Sequence, residues 1–282
     1  MHDEILISVH RLQELQQAGQ CLVFDCRFSL TDPEKGREDW LLNHIPGARY
    51  AHLDEDLAAS VSPESGRHPL PDPAEFAKFL ASVGWTPNSL LVAYDDGSNA
   101  LSARLWWLMR YFDQPAALLD GGFAAWLEAG LPLESGATQV TSVALSDLRS
   151  SDSMIVNTHQ VEANIEKPEF TILDARAAGR FSGQIEPLDS KGGHIPGAVN
   201  RPLQLNLDEN GCFKSPDLLR REFSELLGQT EAKDIVHSCG SGVTACHNLF
   251  AMEVAGLRDS RVYPGSWSEW IRNPTHPIET GD

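Results

Sequence analysis

Five cysteines stand in 282 residues, and one of them sits where a cysteine can do chemistry. The stretch Ile235-Val236-His237-Ser238-Cys239-Gly240-Ser241-Gly242-Val243-Thr244-Ala245 reads as a buried apolar strand, a short glycine-containing loop and the start of a helix. Gly240 and Gly242 let such a loop curl until its backbone N–H groups point inward. The positive end of the following helix adds to the same field. The result is an anion nest around Cys239, walled by Gly240, Ser241, Gly242, Val243 and Thr244. A nest of this kind favours the thiolate, the nucleophilic form of the side chain. A thiolate that keeps a second sulfur among N–H donors can carry it as a persulfide. Cys21, Cys26, Cys212 and Cys246 have no such setting and read as structural thiols.

The elements that must position this loop occur twice. His44-Ile45-Pro46-Gly47-Ala48 recurs 150 residues later as His194-Ile195-Pro196-Gly197-Ala198. Val23-Phe24-Asp25-Cys26-Arg27 is matched by Ile172-Leu173-Asp174-Ala175-Arg176, and Gly122 to Trp126 by Gly265 to Trp270. Leu90 to Asp95 is matched by Asp234 to Cys239. Several landmarks in one order at nearly one offset predict a tandem duplication. The copies are expected at residues 1–138 and 152–282, joined through the polar stretch 135–152. The first copy has Asp95 where the second has Cys239, and a carboxylate forms no persulfide. The first copy is therefore expected to be inactive and the second to be the catalytic one. His44, His194, Asp25, Asp174, Trp126 and Trp270 occur in both copies and are better explained by the fold.

Short apolar runs at 22–25, 90–94, 172–174 and 234–237 predict buried strands, and amphipathic stretches at 74–83, 102–112, 216–227 and 243–255 predict helices. Pro73 and Pro216 stand where helices begin. Strands alternating with helices predict an α/β fold, each copy a parallel sheet with helices on both faces and its site at the carboxyl ends of the strands. The net charge of −18 disfavours nucleic acid and anionic membrane partners. No apolar run is long enough to span a bilayer and no secretory leader is evident. The odd cysteine count with irregular spacing fits a reducing, cytoplasmic setting.

These segments resemble the rhodanese family of sulfurtransferases over nearly the whole chain. The resemblance rests on both His-Ile-Pro-Gly-Ala segments, Leu119-Asp120-Gly121-Gly122, Gly130-Leu131-Pro132 and Tyr263-Pro264-Gly265-Ser266-Trp267-Ser268-Glu269-Trp270. The loop Cys239 to Ala245 is similar to that of members using mercaptopyruvate. Members using thiosulfate usually carry two basic residues after the cysteine, where this chain has Gly240 and Ser241. Thiosulfate is a dianion that two cations would suit, whereas mercaptopyruvate has one carboxylate and a ketone. The resemblance makes Arg180 the substrate-binding arginine, suited to a carboxylate by its planar fork. It also implies an Asp54, His68, Ser241 proton relay, with histidine as shuttle. That relay would bring first-copy residues to the second-copy site. A second arginine is often found nine residues after the first, and here Asp189 stands there, which keeps thiosulfate open as the donor.

The expected partners are a small anionic sulfur donor and a thiol, cyanide or thioredoxin-like acceptor, with no cofactor. A rhodanese-fold phosphatase needs an arginine six residues after the cysteine, and Ala245 is there. A non-catalytic binding module is the remaining alternative, and it describes the first copy. His237, Cys239, Cys246 and His247 suggest a metal cluster by composition alone, but their spacing matches no common structural zinc pattern, so no metal is expected.

Overall fold

The computed structural model describes residues 4–87, 89–145 and 148–281. Ser146 and Asp147 of the expected join, and residues 1–3 and 282 of the expected copies, lie outside the described residues. In the first half, β1 (Leu6–Ile7), β2 (Cys21–Asp25), β3 (Arg49–Tyr50), β4 (Leu90–Tyr94) and β5 (Ala116–Leu119) form a sheet in the order β1-β5-β4-β2-β3. In the second, β6 (Thr171–Asp174), β7 (Val199–Asn200), β8 (Ile235–Ser238) and β9 (Arg261–Val262) follow the order β7-β6-β8-β9. Every pairing is parallel. The two orders correspond strand by strand, from β2 with β6 to β5 with β9. The counterpart of β1 is a single parallel bridge between Ile155 and Val262.

The helices are α1 (Val9–Gln17), α2 (Lys35–Leu42), α3 (Pro73–Ser82), α4 (Ser102–Tyr111), α5 (Gly122–Glu128), α6 (Thr158–Glu166), α7 (Ala178–Phe181), α8 (Pro216–Leu227), α9 (Ala245–Val254) and α10 (Ser266–Trp270). All residues of β4 and β8 are buried, as strands covered on both faces must be. α3 begins where Asp72 accepts the N–H groups of Ala74 and Glu75, with Pro73 in the first turn; Ser215 and Pro216 open α8 likewise. α9 starts two residues later than its apolar pattern suggests, because Val243 and Thr244 belong to the loop. Among the described residues no helix is long and apolar enough to cross a membrane.

The repeated landmarks make repeated contacts. Arg27 grips Asp25 through Nε and Nη2, and Arg176 grips Asp174 in the same way. His44 and His194 share Nδ1 hydrogen bonds with the carbonyls of Trp40 and Phe181. The indoles of Trp126 and Trp270 donate to the carbonyls of Pro132 and Pro277. These buried polar groups are spent on holding loops to the sheets, a structural use.

The chain divides into two compact units that do not coincide with its halves. One runs to Ala59, resumes over Pro71–Ser151 and includes Glu209–Cys212; the other comprises Ser60–Leu70, Asp152–Asp208 and the chain from Phe213. Each unit thus contains a short strap from the other half of the sequence. In the first unit the N–H of Gly136 donates to Leu41, that of Val143 to Ala81 and that of Ser151 to Tyr111.

Candidate active site

Cys239 follows β8 directly, at the carboxyl end of the strand. Its C=O accepts the N–H of Trp267 (3.0 Å), and that of Gly240 accepts the N–H of Ser268 (2.8 Å). In the first unit the C=O groups of Asp95 and Asp96 accept from Phe123 (2.8 Å) and Ala124 (3.0 Å). Cys239 and Asp95 therefore hold equivalent backbone positions.

Their side chains use the loop differently. Oδ1 of Asp95 accepts the N–H groups of Gly97 (3.1 Å) and Asn99 (2.8 Å), and Oδ2 accepts those of Leu101 (2.8 Å) and Ser102 (3.2 Å). The first cradle is thus filled by the protein's own carboxylate. In the second, Cys239 is only 1% exposed, and the backbone N–H groups of Gly240, Ser241, Val243 and Thr244 find no acceptor within the protein among the described residues. A cluster of unpaired donors beside a cysteine sulfur is a site for an anion. Gly242 makes the turn at φ +75°, and a Cβ there would lie 2.2 Å from the carbonyl oxygen of Pro264. No other residue type fits without moving backbone.

The strap Ser60–Leu70 completes the second unit's site. Its course is fixed by Nε of Arg272 donating to the carbonyl of Ser65 (3.2 Å) and by the N–H of Arg67 donating to Oγ of Ser268 (3.0 Å). Gly66 lets the strap pass close, since a Cβ there would meet the carbonyl of Gly265 at 2.7 Å. His68 is buried, and its Nδ1 shares a 2.7 Å hydrogen bond with Oγ of Ser241. Two members of the expected relay therefore meet in the cysteine loop. Asp54 belongs to the other unit, where it is exposed and its N–H donates to Nδ1 of His52 (3.2 Å).

Arg180, on α7, lies over Gly240: a Cβ built on that glycine would be 3.5 Å from Nη1 and Nη2. Its Nε donates to both carboxylate oxygens of Glu186 (3.0 Å each), and its Nη2 pairs with Asp189 (3.0 Å). Burial alone would push the Glu186 carboxyl up, but the Arg180 guanidinium and the N–H groups of Leu188 and Asp189 more than reverse this and hold it below the usual range. Sequence reasoning passed over Glu186, and also Arg67, whose Nη2 comes within 3.2 Å of the same Gly240 position. Arg67 stands next to His68, and that adjacency was the signal available.

The remaining cysteines differ from Cys239. Burial pushes the Cys21 thiol up to about 11 and that of Cys26 well above its ordinary value. Cys246 donates to the carbonyl of Gly242. The composition-based metal cluster does not converge: Nε2 of His237 shares a hydrogen bond with Ser260, and Nδ1 of His247 one with Asn206. The one grouping of three potential ligand residues among the described residues is Glu34, His52 and Glu55, where His52 already shares or accepts hydrogen bonds at both nitrogens.

The sequence pattern of the rhodanese-like domain matches residues 8–129 and 157–273. A protein of Pseudomonas aeruginosa named "Probable 3-mercaptopyruvate sulfurtransferase" is 44% identical over 282 residues, covering 98% of each chain. The thiosulfate sulfurtransferase of Bos taurus is 34% identical over 287 residues, covering 98% of this chain and 94% of the relative. Among solved structures, SseA from Escherichia coli, described as a 3-mercaptopyruvate sulfotransferase with the rhodanese fold, superposes with a TM-score of 0.81 at 30% identity, covering 94% of this chain and 99% of the other. With both halves matched and the relatives aligned end to end, this chain belongs to the rhodanese family.

Proposed function

We propose that the protein is a sulfurtransferase that moves sulfur from 3-mercaptopyruvate to a thiophilic acceptor through a persulfide on Cys239. The observation that carries this reading is the contrast between the two cradles. Asp95 saturates one set of loop N–H groups, and Cys239 leaves the other set free for the charge of a bound persulfide.

The Cys239 thiolate attacks the donor sulfur, forming the S–S bond as the carbon–sulfur bond breaks. The electron pair of that bond goes to the carbon fragment as the enolate of pyruvate. Ser241, backed by His68 at 2.7 Å, is positioned to protonate it, a role of general acid catalysis. The outer sulfur loses its proton and stays on Cys239 as a persulfide anion among the loop N–H groups. A second substrate then takes the sulfur: cyanide leaves as thiocyanate, a thiol leaves as its persulfide, and a dithiol of the thioredoxin kind releases sulfide on forming its disulfide. Two covalent half-reactions predict ping-pong kinetics.

Relatives with either donor in their names are similar to this chain. Gly240 and Ser241 place no cation on the loop itself, and the carboxylates of Glu186 and Asp189 lower the net charge beside it, which favours the monocarboxylate over the dianion. The test is kcat/KM for 3-mercaptopyruvate and for thiosulfate, with cyanide as acceptor, on wild type and Cys239→Ser. A hundredfold preference for mercaptopyruvate corresponds to about 2.7 kcal/mol of differential transition-state stabilisation. A serine variant as active as wild type refutes the persulfide.

A further inference from the structure

Arg67 is absorbed neither by the proton relay nor by the cradle. Its backbone is pinned to Ser268, its Nη1 pairs with Oδ1 of Asp189 (2.7 Å), and its Nε is buried with no hydrogen-bond partner. Arg180 pairs through Nη2 with the other oxygen of the same carboxylate (3.0 Å). One carboxylate thus bridges two guanidinium groups. Both groups reach the space over Gly240, at 3.2 Å for Arg67 Nη2 and 3.5 Å for Arg180 Nη1 and Nη2 from a Cβ placed there. Burial ranks the charges. The side chains of Asp189 and Glu186 are 5% and 6% exposed, against 29% for Arg67 and 17% for Arg180. The arginines are the more exposed members of the cluster, and it is their Nη atoms that reach Gly240, the residue after Cys239, although the four formal charges cancel. A planar guanidinium can receive a carboxylate in two parallel bonds, and a second one beside it adds further charged donors.

We propose that Arg67 and Arg180 form a paired clamp for the donor's carboxylate, with Asp189 as the resident counter-anion that sets its strength. This rests on the reading of Cys239 as a sulfur carrier with an anionic donor. It also accounts for the acid at position 189: the second cation of the site comes from the strap, and position 189 tethers it. Asp189 tempers the clamp for an acid of single charge and disfavours a dianion.

The test uses the full chain and exploits a sign. Arg67→Gln and Asp189→Asn break the same ion pair, so a purely structural role for that pair moves both variants in the same direction. The clamp moves them apart. Arg67→Gln is expected to raise KM for 3-mercaptopyruvate about ten- to hundredfold with kcat within a few-fold, the loss of one charge-assisted contact. Arg67→Lys recovers part of the loss. Asp189→Asn is expected to lower KM for mercaptopyruvate, and to lower it more for thiosulfate. Pyruvate binding by calorimetry reads the same two signs without turnover. Opposite signs in binding together with an inactive wild type would overturn the sulfur-transfer reading and keep the clamp. Equal signs, or an unchanged KM in Arg67→Gln with an active wild type, would overturn the clamp and keep sulfur transfer.

Discussion

Replacing Asp95 by asparagine tests the cradle on which the functional argument stands. The two carboxylate oxygens accept four backbone N–H groups, two each, at 2.8 to 3.2 Å. Asparagine keeps one oxygen and turns the other into an NH2 group. Whichever way the amide is rotated, two loop N–H groups then face a donor. Bonds to a charged acceptor contribute roughly 1.5–3 kcal/mol each, so the substitution is expected to cost about 3–6 kcal/mol. That is a large part of the ~5–15 kcal/mol that holds a domain folded. A two-unit chain need not unfold in one step, so a local readout is preferable to a single melting curve. Hydrogen exchange at the amides of Gly97, Asn99, Leu101 and Ser102 supplies it. These amides should exchange about 10²- to 10⁴-fold faster in Asp95→Asn, by the factor of ten per 1.4 kcal/mol. Acceleration below fivefold would mean that the carboxylate does not hold the loop, and the contrast with Cys239 would lose its physical basis.

Other outcomes follow from the same contacts. His68→Gln is expected to lower kcat with mercaptopyruvate by roughly 10²- to 10⁴-fold, the usual weight of a general acid, and to leave thiosulfate turnover nearly unchanged, because that donor forms no enolate; paired steady-state assays check it. Gly242→Ala places a methyl 2.2 Å from a backbone oxygen at φ +75°, so it should abolish transfer and lower the melting temperature, as activity and thermal unfolding together would show. Burial pulls His237 down to about 3. With the folded value below the unfolded one near 6.5, the contribution is intact above pH 6.5 and declines by about 1.4 kcal/mol per pH unit as pH falls toward 3. Thermal melts from pH 7 to 5 should therefore fall less steeply in His237→Leu than in wild type.

The strands carrying the two cradles were legible because β4 is an unbroken apolar run and β8 opens on the apolar pair Ile235-Val236, as burial on both faces favours. The two-residue strands β1, β3, β7 and β9 were not, since no period can be read from two positions. Cys239 was legible because strand, loop and helix are contiguous. Arg67 was not: its backbone partner Ser268 is 201 positions away, and a polar loop around Gly66 carries no periodic signal. Asp189 registered as a departure, but its meaning depends on the strap and not on its own neighbours in sequence. Helix starts followed Pro73 and Pro216 because capping is local chemistry; the start of α9 did not, because apolar pattern runs through Val243 into a loop.

The reciprocal straps bear on how such a chain can be divided. Glu209–Cys212, from the second half, belongs to the unit of Asp95, where Sγ of Cys212 would lie 3.1 Å from a Cβ on Gly121. Ser60–Leu70, from the first half, brings Arg67 and His68 to the unit of Cys239. The duplicated halves are thus interdependent rather than modular. A polypeptide beginning after the join would keep its nucleophile and lose its histidine. Cleaving the join and leaving both fragments in solution would make strap docking bimolecular, forfeiting the effective concentration, on the order of millimolar, that a short covalent tether provides. Such a split protein should show activity that rises with protein concentration, as the first-half fragment supplies the strap that the second lacks.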